Sequence, residues 1–115
     1  MNTTRFVRGD IVMTELDGKG CVQQGIRPTV IISNNKACEV SPVLIVVPLT
    51  SKKKKPMPTH VELKPTALNG LSCISTFLGE QVITIDRSAI RRVLGRVNMS
   101  DLNLIDNAIK RSLAI

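Results

Sequence analysis

The sequence has no tryptophan, no tyrosine and only two phenylalanines, Phe6 and Phe77. A protein that reads RNA by stacking bases needs aromatic platforms, so that mode of binding is excluded. It has one histidine, His60, and three widely spaced cysteines, Cys21, Cys38 and Cys73, with no Cys-x-x-Cys pair. An odd, scattered set of thiols builds neither a disulfide framework nor a zinc site. The three read as small apolar fillers in a reducing cytoplasm. No cluster of His, Cys and carboxylates occurs at ligand spacing, so neither a metal nor another cofactor is expected. The longest apolar run, Val43 to Leu49, falls far short of the roughly 20 residues that span a bilayer. The first ten residues contain no apolar core of a secretory signal. The expectation is a cytoplasmic protein without membrane contact.

What is present is a chain of 115 residues, 43% of them hydrophobic, with 16 basic and 9 acidic side chains and a net charge of +7. That length suits one domain, taken over residues 1–115, with enough apolar residues for a core. The basic balance favours an anionic partner, either nucleic acid or an acidic protein.

Strand signals fill the first two thirds. Asp10 to Leu16 carries Ile11, Val12 and Met13 and runs into the turn residues Asp17-Gly18-Lys19-Gly20. Thr29 to Ser33 and Val43 to Leu49 are short, nearly continuous apolar runs, the pattern of strands covered on both faces. Pro48 marks a place where pairing stops or bulges. After a cationic loop, Ser51 to Pro58, the segment His60 to Leu63 alternates polar and apolar residues. Ser72 to Leu78 and Gln81 to Ile85 read as strands with a bulge at Gly79, Arg87 to Val93 as a helical turn, and Leu94 to Val97 as a last short strand. Ser100-Asp101 offers an N-cap for a terminal helix whose apolar stripe is Leu102, Ile105, Ile109 and Leu113, with Lys110 and Arg111 in its last turn. The expected class is mainly β with α, a small curved sheet or barrel with a C-terminal helix.

One pair of residues fits a chemistry. Arg27 precedes Pro28, which biases its backbone to an extended form at a strand start. Thr50 ends the next apolar run, beside Ser51. If these strands pair, arginine and hydroxyl lie near each other at one rim. A guanidinium fork suits phosphate oxygens, and a hydroxyl donates a further hydrogen bond to the same phosphate. RNA brings its own nucleophile, the 2′-OH, so such a clamp need only orient the phosphate, neutralise charge and pass a proton. On composition alone, a rim salt bridge for Arg27 and a turn-forming hydroxyl for Thr50 are equally open readings.

The chain resembles the MazF/PemK/Kid family of toxin ribonucleases in five blocks in the right order. They are Arg8-Gly9-Asp10-Ile11-Val12; Gln23-Gln24-Gly25-Ile26-Arg27-Pro28 with Val30-Ile31-Ile32-Ser33-Asn34; Val46-Val47-Pro48-Leu49-Thr50-Ser51; Pro58-Thr59-His60-Val61-Glu62-Leu63; and Glu80-Gln81-Val82-Ile83-Thr84-Ile85-Asp86. The resemblance implies an SH3-like barrel, a homodimer, and metal-free, sequence-specific cleavage of single-stranded RNA, chiefly mRNA. The products would be a 2′,3′-cyclic phosphate and a 5′-OH. It also implies a cognate antitoxin with an acidic C-terminal tail. The family's catalytic arginine and threonine fall on Arg27 and Thr50. Where many members have Glu-Gln-Gly-Gly, this chain has Val22-Gln23-Gln24-Gly25, and Ile83 replaces an arginine. The alternative is therefore a degenerate member that binds RNA or an antitoxin without cutting, or, less in keeping, a gyrase inhibitor on the same fold.

Around the pair, Gln23, Gln24, Ser51, Lys52, Lys53, Lys54, Lys55, Glu80 and Gln81 are the expected RNA contacts. The lysines would grip phosphates and carry no base specificity, or else form a solvated loop. Glu80 and Gln81 would hold Arg27 or touch a base. His60, with only Glu62 as an evident carboxylate neighbour, is read as structural.

Overall fold

The computed structural model describes residues 5–20 and 22–115. Seven strands and two helices follow one another: β1 (Asp10–Leu16), β2 (Gly25–Ile31), α1 (Asn35–Val40), β3 (Val43–Thr50), β4 (His60–Leu63), β5 (Ser75–Leu78), β6 (Ile83–Asp86), β7 (Ile90–Arg96) and α2 (Met99–Leu113). All pairings are antiparallel, in the order β4-β5-β3-β2-β1-β7, with β6 added to β3. Among the described residues β4 and β7, the ends of this path, do not pair, so the curved sheet is barrel-like without being closed.

Register explains the core. Ile11 faces Val30, and Val30 faces Val47, which places all three on one side of the sheet. Leu49, Leu63, Phe77 and the α2 residues Ile105 and Ala108 join them in the larger apolar cluster. The alternate positions Val12, Ile31 and Val46 turn the other way and pack with Phe6, Cys38, Leu44 and Ile85. The middle of the sheet is thus covered on both faces, which is why β3 reads as an unbroken apolar run from Val46 onward. Its first half does alternate, with Val43 and Ile45 exposed.

Pro48 sits where β3 changes neighbours. On one edge β3 pairs with β6 through Val46 and with β5 from Leu49. The missing proline N–H falls in the gap between those two ladders.

Several local readings need correction. The helix cap is Asn98, whose side chain accepts the Asp101 N–H at 2.7 Å, and not Ser100. The α2 stripe is one turn shorter than its sequence pattern, since Leu113 is 52% exposed. Arg87–Ala89 is one turn of 3₁₀ helix, and the rest of the segment read as helical belongs to β7. The helix α1 joins β2 to β3, with Asn34 capping its start and Arg87 bonding the Cys38 and Ser41 carbonyls at its end. Cys38 is a buried filler, its thiol pushed up by burial and by the field of Asp10. Cys73 is exposed on the connection before β5, so it fills nothing. Cys21 lies outside the described residues.

Candidate functional site

The β2–β3 ladder sets the geometry of the site. Its pairs are Thr29 with Pro48, Val30 with Val47 and Ile31 with Val46. The pairing itself ends at Thr29 and Pro48; continued two residues outward, the same register would set Arg27 opposite Thr50, both at positions of the face that buries Ile31 and Val46. That face is apolar at one end and hydroxyl-rich at the other. Thr14 and Thr29, both buried, are linked through their hydroxyls at 3.0 Å, and Thr29 Oγ1 donates to the Val12 carbonyl at 3.2 Å. Arg27 pairs opposite Thr14 at the rim.

Arg27 is exposed. Among the described residues its one polar partner is the Gln24 carbonyl, which accepts from Nε at 2.9 Å. Among the described residues no carboxylate pairs with it. Other arginines are committed: Arg8 to Asp106 at 2.6 Å, Arg91 to Glu15, and Arg96 to Asp10 at 3.1 Å. The rim salt bridge that the sequence left open for Arg27 is therefore not formed among the described residues, and a guanidinium exposed in this way keeps the fork that suits phosphate oxygens. Thr50 is buried at the end of β3. Its Oγ1 accepts the Lys52 N–H at 3.2 Å, so the hydroxyl does form a turn, and its proton remains available to a further acceptor. Gly25, two residues before Arg27, has φ +81°, a left-handed conformation that glycine adopts without strain.

The flanking candidates divide. Ser51 and Lys52 to Lys55 are exposed on the loop after β3. Gln23 is half-buried and its N–H donates to Gln81 Oε1 at 3.0 Å, which joins the β1–β2 loop to the turn between β5 and β6. Glu80 turns elsewhere. Its carboxylate accepts from the Thr59 hydroxyl at 2.9 Å and lies 3.1 Å from His60 Nε2. Glu80 thus contacts the start of β4, not Arg27. His60 finds its carboxylate in Glu80 and not in Glu62, because the β4–β5 register sets His60 against Leu78. Its Nδ1 is buried without a partner among the described residues.

Burial alone would raise the Glu80 carboxyl, but the hydrogen bonds from His60, the backbone and Thr59 outweigh it, and the net shift is downward from the ordinary value of 4.5. A carboxyl lowered by folding stabilises above its ordinary pKa and loses that contribution as the pH falls through the folded-state value. Glu80→Gln is therefore expected to reduce stability at neutral pH and to converge on the parent in acid. Urea midpoints measured from pH 7 to pH 3 check this, and a gap that widens in acid would contradict it.

A groove of about 880 Å³ opens nearby, lined among others by Glu15, Asp17, Val22, Gln23, Ile83 and Asp86. It includes neither Arg27 nor Thr50. Its carboxylates outnumber its one arginine, Arg91, which Glu15 already pairs. A phosphate chain is repelled there, so the groove is a poor alternative to the rim site. Among the described residues no group of three or more His, Cys, Asp or Glu is placed to share a metal ion. Nor, among the described residues, is any helix long and apolar enough to cross a membrane.

Comparison with known proteins places the family and the fold. The profile of a family described as PemK-like, MazF-like toxin of type II toxin-antitoxin system matches residues 7–113. An Endoribonuclease MazF from Staphylococcus saprophyticus is 34% identical over 110 residues, covering 94% of this chain and 91% of that protein. Among solved structures, a MazF from Deinococcus radiodurans superposes with a TM-score of 0.81 at 23% identity, over 98% of this chain and 100% of the other. An endoribonuclease in complex with its cognate antitoxin, from a mycobacterial species, gives 0.79 at 24% identity over 95% of each chain. At those identities the two structures speak to the fold.

Proposed function

The chain belongs to the PemK-like, MazF-like toxin family of type II toxin-antitoxin systems, and on that premise we propose that it is an endoribonuclease that cuts single-stranded RNA at the rim formed by Arg27 and Thr50. What supports this reading is the guanidinium of Arg27, which among the described residues meets only the Gln24 carbonyl, on a strand whose register, continued past its last pair, leads towards Thr50. The 2′-oxygen attacks the adjacent phosphorus and the bond to the 5′-oxygen breaks. The 2′-OH gives up its proton and the departing 5′-oxygen takes one, leaving a 2′,3′-cyclic phosphate and a 5′-OH. Arg27 holds two non-bridging oxygens as charge builds on them, and Thr50 donates to the same phosphate. This division of labour calls for no metal. With Val22 in place of an acid, charge stabilisation and in-line positioning carry most of the rate.

The test is incubation of the protein with long single-stranded RNA in EDTA. Fragments with 5′-OH ends that recur at one short sequence are expected. RNA that is bound but left intact would favour the second reading, a binding module, which Val22 and Ile83 motivate. The family's antitoxin, with an acidic tail, is proposed as the protein partner of the same basic rim, in the cytoplasm, with the protein acting as a homodimer.

Lys52 to Lys55 supply phosphate contacts next to Thr50 in this reading. Each lysine that neutralises a phosphate adds about 0.7 to the slope of log affinity against log salt for single strands. Replacing all four by glutamine is expected to flatten that slope by roughly two to three, with the cleaved sequence unchanged. Filter binding across a salt series reads this directly, and an unaltered slope would make the loop a solvated one.

A further inference from the structure

We propose that Gln81 is a positioning residue for Arg27, acting through the backbone of Gln23 and Gln24; this rests on the reading of Arg27 as the phosphate-binding cation. The difficulty it resolves is geometric. The β2–β3 ladder ends at Thr29 and Pro48, short of Arg27 and Thr50, so the ladder does not itself fix one against the other. A clamp on one phosphate loses much of its rate when its members drift by an ångström.

Gln81 supplies the missing reference. Its Oε1 accepts the Gln23 N–H at 3.0 Å, and the Gln24 carbonyl accepts the Arg27 Nε–H at 2.9 Å. The two bonds seize the same two-residue span from opposite ends. Gln81 is itself anchored, its own N–H donating to the Leu78 carbonyl at 2.8 Å in the turn that joins β5 to β6. Both of those strands pair with β3, and Thr50 lies directly against Thr76 of β5. Arg27 is thereby referred, through Gln24, Gln23 and Gln81, to the strand that carries Thr50.

The loop is shaped to receive this hold. A Cβ on Gly18 would lie 2.0 Å from the Gln23 carbonyl oxygen and 2.5 Å from that of Val22, so the chain at Gly18 packs directly on the span that Gln81 grips. Val22 N–H closes a turn onto the Lys19 carbonyl at 3.1 Å.

The bond to Gln23 requires an acceptor oxygen at the end of a side chain of that length. Gln81→Glu keeps the acceptor, and Gln81→Met keeps the length without it. Against RNA at a single salt concentration, Gln81→Met is expected to lower kcat about tenfold to a hundredfold with KM nearly unchanged, the pattern of lost positioning. Gln81→Glu is expected to stay within a fewfold of the parent. Proton exchange at the Arg27 Nε–H, followed by ¹⁵N NMR on the free protein, supplies a readout independent of cleavage. Exchange should accelerate in Gln81→Met and not in Gln81→Glu. An Nε–H unchanged in Gln81→Met, or a loss confined to KM, overturns the proposal and makes Gln81 an RNA contact in its own right. Faster exchange in a protein that never cleaves RNA would uphold the positioning and sink the ribonuclease reading, so the two failures are told apart.

Discussion

Arg27→Ala is expected to lower the rate of RNA cleavage by about a hundredfold to a thousandfold, the usual loss when one preorganised donor to a developing anion is removed. The fold should survive, because the side chain is exposed and its one polar partner among the described residues is a loop carbonyl. Arg27→Lys separates charge from shape. It keeps the cation but loses the two-pronged fork and the Nε–H that Gln24 holds, so most of the loss should persist. Thr50 calls for a different substitution. It is buried, and valine preserves its volume while deleting the hydroxyl. Thr50→Val removes the donor to the phosphate and also the acceptor of the Lys52 N–H. The rate should fall by a similar factor, and the double variant should lose less than the product, since both groups serve one phosphate. Single-turnover rates on a defined RNA, beside thermal unfolding of each variant, decide the matter. Full activity in both single variants would remove the site from this rim.

The largest effect on stability is expected at Phe77. It is the first-ranked by volume of the fully buried side chains and pairs with Leu49 and Val61 across two ladders. Phe77→Ala removes a ring from the cluster shared by β3, β4, β5 and α2, and should cost about 3–5 kcal/mol. Total stabilities of small domains are about 5–15 kcal/mol, so a substantial unfolded fraction follows on modest warming. Urea unfolding should show a lower midpoint at an unchanged slope. A shift worth less than about 1 kcal/mol would mean that the cluster can collapse around the cavity.

What was legible in the sequence follows the strength of its periodicity. β1 and β4 begin and end where their patterns do, because one is strongly apolar and the other alternates. Gly79 marks the break between β5 and β6, which the structure makes a turn. The first half of β2, Gly25 to Pro28, reads in the sequence only as the approach to a strand, because it is mostly exposed and contains glycine and proline, which carry no strand signal. The strand β7 is mostly exposed and follows β1 through two register shifts, so nothing in it alternates. The six residues of α1 are too few for a helical period. At the helix start, Asn98 and Ser100 are both good caps, and only the bond to the Asp101 N–H tells them apart.

The site divides in the same manner. Arg27 and Thr50 each border an apolar run, and the pairing of those two runs, foreseeable from their pattern, is what the structure shows. The bond between Glu80 and His60 depends on the exact register of a hairpin, which composition does not encode. The role of the Gln24 carbonyl was hidden for a simpler reason. It is a backbone atom, and its residue type says nothing about it.

The strand order also has a meaning in time. β1, which flanks the strand bearing Arg27, receives its second neighbour only from β7, with Asp10 opposite Arg96. At roughly 5–20 residues per second of synthesis, several seconds pass between the birth of one strand and the arrival of the other. Until then β1 has an open edge and the floor beneath Arg27 is unfinished. A chain that stops before Ile90 therefore leaves β1, against which the strand bearing Arg27 is laid, at the border of an unfinished sheet.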